Sequence, residues 1–334
     1  MAQALPAVLP MRPYLREMVW GGQRLGLVYG KPLPAGKRIG ESFEVSAWPG
    51  RESVVAAGPL AGWGMDRVLA EYRDEIMDRS LWERCSGAFP LLVKLLDAHQ
   101  DLSIQVHPGD QYAREKGLGW WGKTEAWFVL QSAEGRVACG LRAGVGPEAL
   151  RLALEAGRPE EVVEFHPVQP GDVVSIPAGT VHALCAGLVV YEVQQSSDTT
   201  FRLYDYGRPG LDGKPRELHM EQSLEVALFE AGAPRPTSWR GLPDAQADRA
   251  VLVENQYFSL NYYRPDPQSP RIGHGAGDSF LALTLLHGQA EIRGGADAFG
   301  LGPGDTTLVP AHRECVLVPR AEPGLEYLIA AVPN

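Results

Sequence analysis

The chain has 334 residues, 45% of them hydrophobic and 22% charged, the balance of a globular protein with room for two domains or one large β-rich one. A formal net charge of -10 argues against general binding to nucleic acid or acidic membranes, but leaves room for a locally basic pocket that takes a small anion. Abundant Gly (38) and Pro (27), with few long periodic segments, predict many turns and short strands.

Pro6, Pro10 and Pro13 interrupt the one apolar stretch near the N-terminus, and no basic segment precedes it, so no secretory signal is read there. Nowhere do 18 apolar residues run together, and no membrane span is expected. The opening segment reads as mostly irregular, turning at Gly21-Gly22. Residues 39–48 alternate as a strand, with Glu41 and Glu44 expected in solvent, and residues 53–56 form a short strand. Residues 65–85 carry apolar side chains at three- and four-residue spacing and predict one helix. A nearly continuous apolar strand follows over 89–98. Lys94 interrupts it, either snorkelling to water at a sheet edge or serving a function.

Strand, loop and strand follow over 102–130. A second helical insert is predicted from Gly146, with Pro147 in its first turn, to about Phe165. A strand is predicted over 137–141, residues 169–184 read as turn, strand, tight turn and strand, further strands are predicted over 188–193 and 200–206, and a helix over about 220–229. Residues 231–247, with three prolines, read as a linker. Beyond it lie strands at 257–264, 280–287, 289–292, 306–309, 316–318 and 327–332. Cys85, Cys139, Cys185 and Cys315 are widely separated with no C-x-x-C pair, which predicts reduced thiols in a cytoplasmic protein.

One internal echo stands out. Residues 170–178, PGDVVSIPA, match residues 303–311, PGDTTLVPA. In that alignment the position of His182 falls on Cys315, the pattern of a duplicated β-module in which one copy keeps a site.

The chemistry concentrates between Leu102 and Leu130. Gln105 and His107 alternate with apolar neighbours, so period two sends both to one face, together with Ser103. Lys123 and Glu125 repeat that spacing at the head of the next strand. A Gln, a His and a Glu aimed from neighbouring strands can form part of a metal site, although a lone His on an apolar strand is more often a core residue. Lys123 could grip phosphate or transfer a proton. Ser103 could bind phosphate or be structural. Arg202 reads locally as a partner of Asp198 or Asp205. His99, His166, His219, His274, His287 and His312 have no comparable setting. Trp120-Trp121 reads as packing beneath the 108–122 insert, with a pocket wall as the lesser alternative.

Gly171-Asp172, Pro177-Ala178-Gly179 and His182 resemble the second half of the cupin pattern, and Gln105, His107 and Glu125 fill its first half. Gln105, His107, Glu125 and His182 then make a four-ligand set suited to Zn²⁺, with Fe²⁺, Mn²⁺ and Co²⁺ as rivals. More specifically, LSIQVHPGD, GKTEAW, IPAGTVHAL and SSDTTFRLYDYGR resemble the type I mannose-6-phosphate isomerases in their short bacterial form, over at least residues 20–208. Gly109, where that family more often has Asp, and Ala126 and Phe128 depart from it without touching a ligand position.

The resemblance implies a mainly β, double cupin (jelly-roll) fold with helical inserts in the N-terminal half. Residues 1–230 would form the catalytic metal-binding domain and residues 231–334 a degenerate jelly roll. It implies one Zn²⁺ per chain on Gln105, His107, Glu125 and His182. The substrate would be a small sugar phosphate, with no nucleic-acid or membrane partner. It implies aldose-ketose isomerisation of mannose 6-phosphate and fructose 6-phosphate through an enediol, with catalytic roles for Arg202 and Lys123 and substrate contacts from Ser103, Lys123 and Arg202. Asp198, Lys123 and a metal-bound hydroxide stand open as the general base. The alternatives are an iron-dependent cupin dioxygenase, which Gln105 and the GKTE string speak against, and a non-catalytic sugar-phosphate-binding protein, which the presence of both Arg202 and Lys123 speaks against.

Overall fold

The computed structural model describes residues 4–229, 232, 234–266, 272–320 and 324–333. Two antiparallel sandwiches carry the fold. In the first, a seven-stranded sheet runs Thr237–Ser238, Asp172–Ile176, Glu125–Ser132, Leu188–Gln195, Leu91–Ala98, Ile39–Val45, Tyr14–Gly22. It packs on a five-stranded sheet ordered Phe201–Tyr204, Ile104–Val106, His182–Leu184, Arg136–Leu141, Val163–Pro167. The second sandwich pairs another seven-stranded sheet with a four-stranded one built from Ile272–Gly275, Glu314–Pro319, Ala290–Gly294 and Asp297–Leu301. This is the mainly β architecture expected.

Strand alternation sorts side chains into four apolar clusters. In the first sandwich Leu96, Trp127, Val129 and Val190 point inward against Val137 and Leu184. Their neighbours Val93, Leu95, Phe128 and Tyr191 point outward and meet Leu260, Tyr262, Ala282 and Leu308 of the second sandwich. The two seven-stranded sheets are therefore welded face to face. Burial of each such large side chain contributes about 1.5–3 kcal/mol, so this seam resists separation. On the far side, Ile104, Val106, Ala138 and Ala183 are covered by Leu150, Ala153 and Leu154 of the helix Pro147–Glu155.

The internal echo is a structural repeat. Gly171 (φ 92°) and Gly304 (φ 88°) both take a left-handed turn that disfavours any side chain. Asp172 accepts from Gln169 N and Asp305 from Gly302 N, both at 2.8 Å. The following strands lie in corresponding places, Ile176 opposite Glu125 and Val309 opposite Leu281.

Several local expectations are corrected. The N-terminal segment is strand, Leu9–Arg12 and Tyr14–Gly22. Leu9–Arg12 lies between Thr306–Val309 and Val54–Val55 in the second sandwich's large sheet, so the start of the chain completes the later module. Pro10 turns its carbonyl to Ala56 N (2.7 Å), a bond that needs no N–H from the proline. The single helix expected over 65–85 is two, Met65–Ile76 and Arg79–Arg84. Asp78 accepts from Ser80 N at 2.8 Å and starts the second as its N-cap, a signal that apolar periodicity does not weigh. The second helical insert ends at Glu155, and after a short 3₁₀ turn the chain becomes the strand Val163–Pro167. The 108–122 loop contains the helix Asp110–Glu115, and Trp120 above it is 59% exposed rather than packed beneath.

Glu44 is fully buried, not solvated. It takes Lys31 Nζ at 2.7 Å and Ser42 Oγ at 2.7 Å, while Lys31 also donates to Gly304 O at 2.7 Å. Among the described residues no helix is long and apolar enough to cross a membrane. All four cysteines are free thiols. The residues Glu230 and Ala231, where composition puts the domain boundary, lie outside the described residues.

Candidate metal centre

The inner faces of the first sandwich's two sheets bring the polar residues together. Glu125 opens its strand in the large sheet, paired across from Ile176 and Gln194. Gln105 and His182 are cross-strand partners in the small sheet, and Arg202 is the partner of Gln105 on the other side. His182, Gln105 and Arg202 thus form one row across three adjacent strands. His107 follows directly on the strand Ile104–Val106.

His107, Glu125 and His182 are buried, with candidate ligand atoms all within 4.8 Å of one another. His107 Nδ1 donates to Thr199 O and His182 Nδ1 to Thr180 O, each at 2.8 Å. Those bonds fix the tautomer and leave both Nε2 lone pairs facing inward, as metal-binding imidazoles require. Glu125 Oε1 lies 3.3 Å from His182 Nε2 and has no hydrogen-bond donor, and Glu125 Oε2 lies 3.7 Å from His107 Nε2. A buried carboxylate oxygen without a donor is costly unless a cation serves it. Gln105 Nε2 lies 3.3 Å from His182 Nε2, and half a turn of the amide sets its oxygen toward the same point. Two imidazole nitrogens, a carboxylate and an amide oxygen fit a divalent cation.

Electrostatics favour neutral imidazoles here. Burial pulls His182 down to about 4, and burial together with the Lys123 charge holds His107 well below its usual range. Lys123 Nζ lies 3.1 Å from His107 Nε2 and makes a short contact with Glu125 Oε2. Burial disfavours the Lys123 ammonium, but Glu125 and Glu192 outweigh it and raise its pKa. Burial pushes the Glu125 carboxyl up, to about 7, against the pull of Lys123. Beside these two carboxylates Lys123 stands as an ammonium that faces the cavity.

Lys94 is neither exposed nor at an edge. Its strand runs between two others, its side chain is 2% exposed, and Nζ meets Gln194 Oε1 at 2.7 Å and Glu192 Oε1 at 3.3 Å. Glu192 Oε2 also accepts from Trp127 Nε1 at 2.9 Å. Asp198 is engaged by Arg51 and, at 3.8 Å, by Arg16. Despite its burial, Lys94 and these arginines hold its carboxyl low, which weakens it as a base.

A cavity of about 220 Å³ opens beside this cluster and is lined by Ser103, Gln105, Lys123 and Arg202, among others. Ser103 Oγ lies 3.4 Å from Gln105 Oε1. Arg202 pairs with neither Asp198 nor Asp205. Its Nη1 donates to Glu217 O at 2.9 Å and its buried Nε has no acceptor. Lys94, Glu192, Arg216 and His219 also line the cavity, and sequence reasoning passed them over or left them open. Arg216 and His219 follow an irregular stretch with no periodicity, so no local signal marks them.

Comparison with known proteins gives a consistent result. The family profile described as phosphomannose isomerase type I, catalytic domain, matches residues 8–119. The mannose-6-phosphate isomerase of Streptococcus mutans is 35% identical over 300 residues, covering 90% of this chain and 91% of its own. A mannose-6-phosphate isomerase of Bacillus subtilis is 34% identical over 302 residues, covering 90% of this chain and 91% of its own. Among solved structures, a mannose 6-phosphate isomerase from Bacillus subtilis superposes with a TM-score of 0.83 at 30% identity, over 97% of this chain and 99% of that one. A putative mannosephosphate isomerase from Archaeoglobus fulgidus shares the fold, with a TM-score of 0.77 at 22% identity over 99% of both chains.

Proposed function

The chain belongs to the type I phosphomannose isomerases, and we propose that its buried His-Glu-His cluster and the cavity beside it carry the interconversion of mannose 6-phosphate and fructose 6-phosphate. Gln105, His107, Glu125 and His182 would hold one divalent cation, Zn²⁺ by the donor set. When bound, the cation would polarise the sugar carbonyl. The reaction removes a proton from C2 of the aldose, protonates the C1 oxygen to give an enediol, and returns a proton to C1 as the C2 hydroxyl becomes a carbonyl. Lys123, held charged, donates toward the developing oxyanion. Arg202, whose charge no carboxylate neutralises, supplies a fixed cation to the substrate. Ser103 orients the Gln105 amide and lines the substrate space.

The observation that carries this reading is the pair of Nδ1–H bonds to Thr199 O and Thr180 O. They turn two neutral Nε2 atoms toward a carboxylate oxygen that has no other donor. The free thiols support a cytoplasmic setting. We also infer a functional division near residue 230, with catalysis in the first sandwich and a degenerate second one. Assay of the purified protein with fructose 6-phosphate, before and after a chelator, tests the reading. Loss of turnover on chelation and its return with Zn²⁺ are expected; chelator-insensitive turnover would remove the metal's role.

A further inference from the structure

The ladder that carries Glu125 stops short of Lys123. Glu125 pairs with Ile176 and Gln194, and Lys123 lies outside the strand Glu125–Ser132. Yet Lys123 Nζ stands 3.1 Å from His107 Nε2 and in contact with Glu125 Oε2. A long, rotamer-rich side chain on a loop keeps such a placement only if its backbone is held.

Three consecutive peptide N–H groups hold it. Gly122 N donates to Asp110 Oδ1 at 2.7 Å, Lys123 N to Pro108 O at 3.0 Å, and Thr124 N to Gln195 Oε1 at 2.8 Å. Gln195 Nε2 closes the circuit by donating to the same Asp110 Oδ1 at 2.9 Å. Gln195 N also donates to Thr124 O at 3.1 Å, so one residue engages both polar groups of the Thr124 backbone. Gln195 is 2% exposed, and its amide oxygen and nitrogen both have partners. At Gly122 the chain passes so close to the Pro108 turn that a Cβ there would strike Pro108 O. Pro108, Asp110 and Gln195 thus frame the backbone of Lys123 and leave its ammonium to the cavity.

Asp110 and Gln195 do not line the cavity beside the metal centre. They line a separate one of about 440 Å³, with Arg84, Arg114 and Tyr257. Their route to the reaction is therefore the backbone of residues 122–124. We propose that Asp110 and Gln195 are positioning residues for Lys123: by fixing the peptide groups on either side of it, they set where its ammonium meets the sugar. The proposal rests on the isomerase reading of the cavity and refines it. A reacting group displaced by about 1 Å can cost about 10²-fold in rate, so loss of the frame lowers kcat rather than raising KM.

The test is a double-mutant cycle on the metal-loaded enzyme. Asp110→Ala and Gln195→Met should each lower kcat about 10–100-fold, with the KM for fructose 6-phosphate within about threefold and metal content unchanged. Asp110→Asn, which keeps Oδ1 as an acceptor, should restore most of the rate. In a Lys123→Gln background the same two substitutions should cost less than about twofold further, because the ammonium they place is gone. Losses that multiply in that background, loss of metal, a change in KM alone, wild-type kcat in both variants, or Asp110→Asn no faster than Asp110→Ala would overturn the assignment. If Asp110→Ala fails to fold because Asp110 opens the helix Asp110–Glu115, Gln195→Met decides alone. If the wild type does not turn over fructose 6-phosphate, the isomerase reading fails, and amide hydrogen exchange still judges the frame. Loss of protection at Gly122 in Asp110→Ala and at Thr124 in Gln195→Met, with Val129 unchanged, supports it. Equal protection in wild type and variants overturns it.

Discussion

Gln105 and His182 face each other across an antiparallel strand pair, their Nε2 atoms 3.3 Å apart. The second sandwich repeats the pairing with other chemistry: His274 stands opposite Cys315, and Leu281 stands where Glu125 would be. One module therefore keeps a converging donor set. In the other, His274 Nε2 meets Tyr327 OH at 2.7 Å beneath the stacked ring of Tyr263.

Replacing His182 by Ala should empty the site of metal. Loss of an outer partner of a ligand costs 10–100-fold in metal affinity or activity, and loss of a ligand should cost at least roughly a hundredfold. Metal analysis of the purified variant beside its isomerase rate checks this, and full metal content in the variant would remove His182 from the ligand set.

Lys123→Gln separates proton donation from substrate grip. As the proposed acid for the developing oxyanion, Lys123 should contribute about 10²–10⁴-fold to kcat, with KM little changed. Steady-state kinetics decide, and a variant altered in KM alone would make Lys123 a binding residue.

Glu44→Gln should destabilise the seam between the sandwiches. It leaves Lys31, 7% exposed, with a buried charge and no carboxylate. Breaking such a pair costs about 3–5 kcal/mol. Urea unfolding at neutral pH would show the loss as a lower midpoint with an unchanged slope.

Acid should destabilise the second sandwich through His274. Burial lowers its pKa from 6.5 to about 4 in the folded state. The unfolded chain then binds the proton more readily, so the stability is fully present above the ordinary pKa and drains away as pH falls toward the folded value. Between about pH 7 and about pH 4.5 the wild type should lose on the order of 2 kcal/mol more than His274→Gln, after a discount for partial exposure. Paired urea melts at the two pH values measure the difference, and parallel losses in both proteins would refute it.

Alternation of apolar and polar residues and the turn residues between them made the mainly β architecture readable, because period two is a local property. The PGD echo foretold a repeat that the structure bears out in Gly171 and Gly304, since left-handed turns leave a residue signature. Local signals failed where tertiary partners decide. Leu9–Arg12 looked irregular because the strands that accept it lie far along the chain, and Glu44 looked solvated because its partner Lys31 approaches from outside the strand. The residues of the proposed ligand set were legible because they follow a fixed spacing on strands. By itself the sequence determined the strands, the repeat and the donor types. The tertiary structure alone decided which charges meet. It placed Lys123 against Glu125 and His107, buried Lys94 beside Glu192, and freed Arg202 from Asp198 and Asp205. Ion pairing depends on distances between residues remote in sequence, and those exist only after the two sheets have packed.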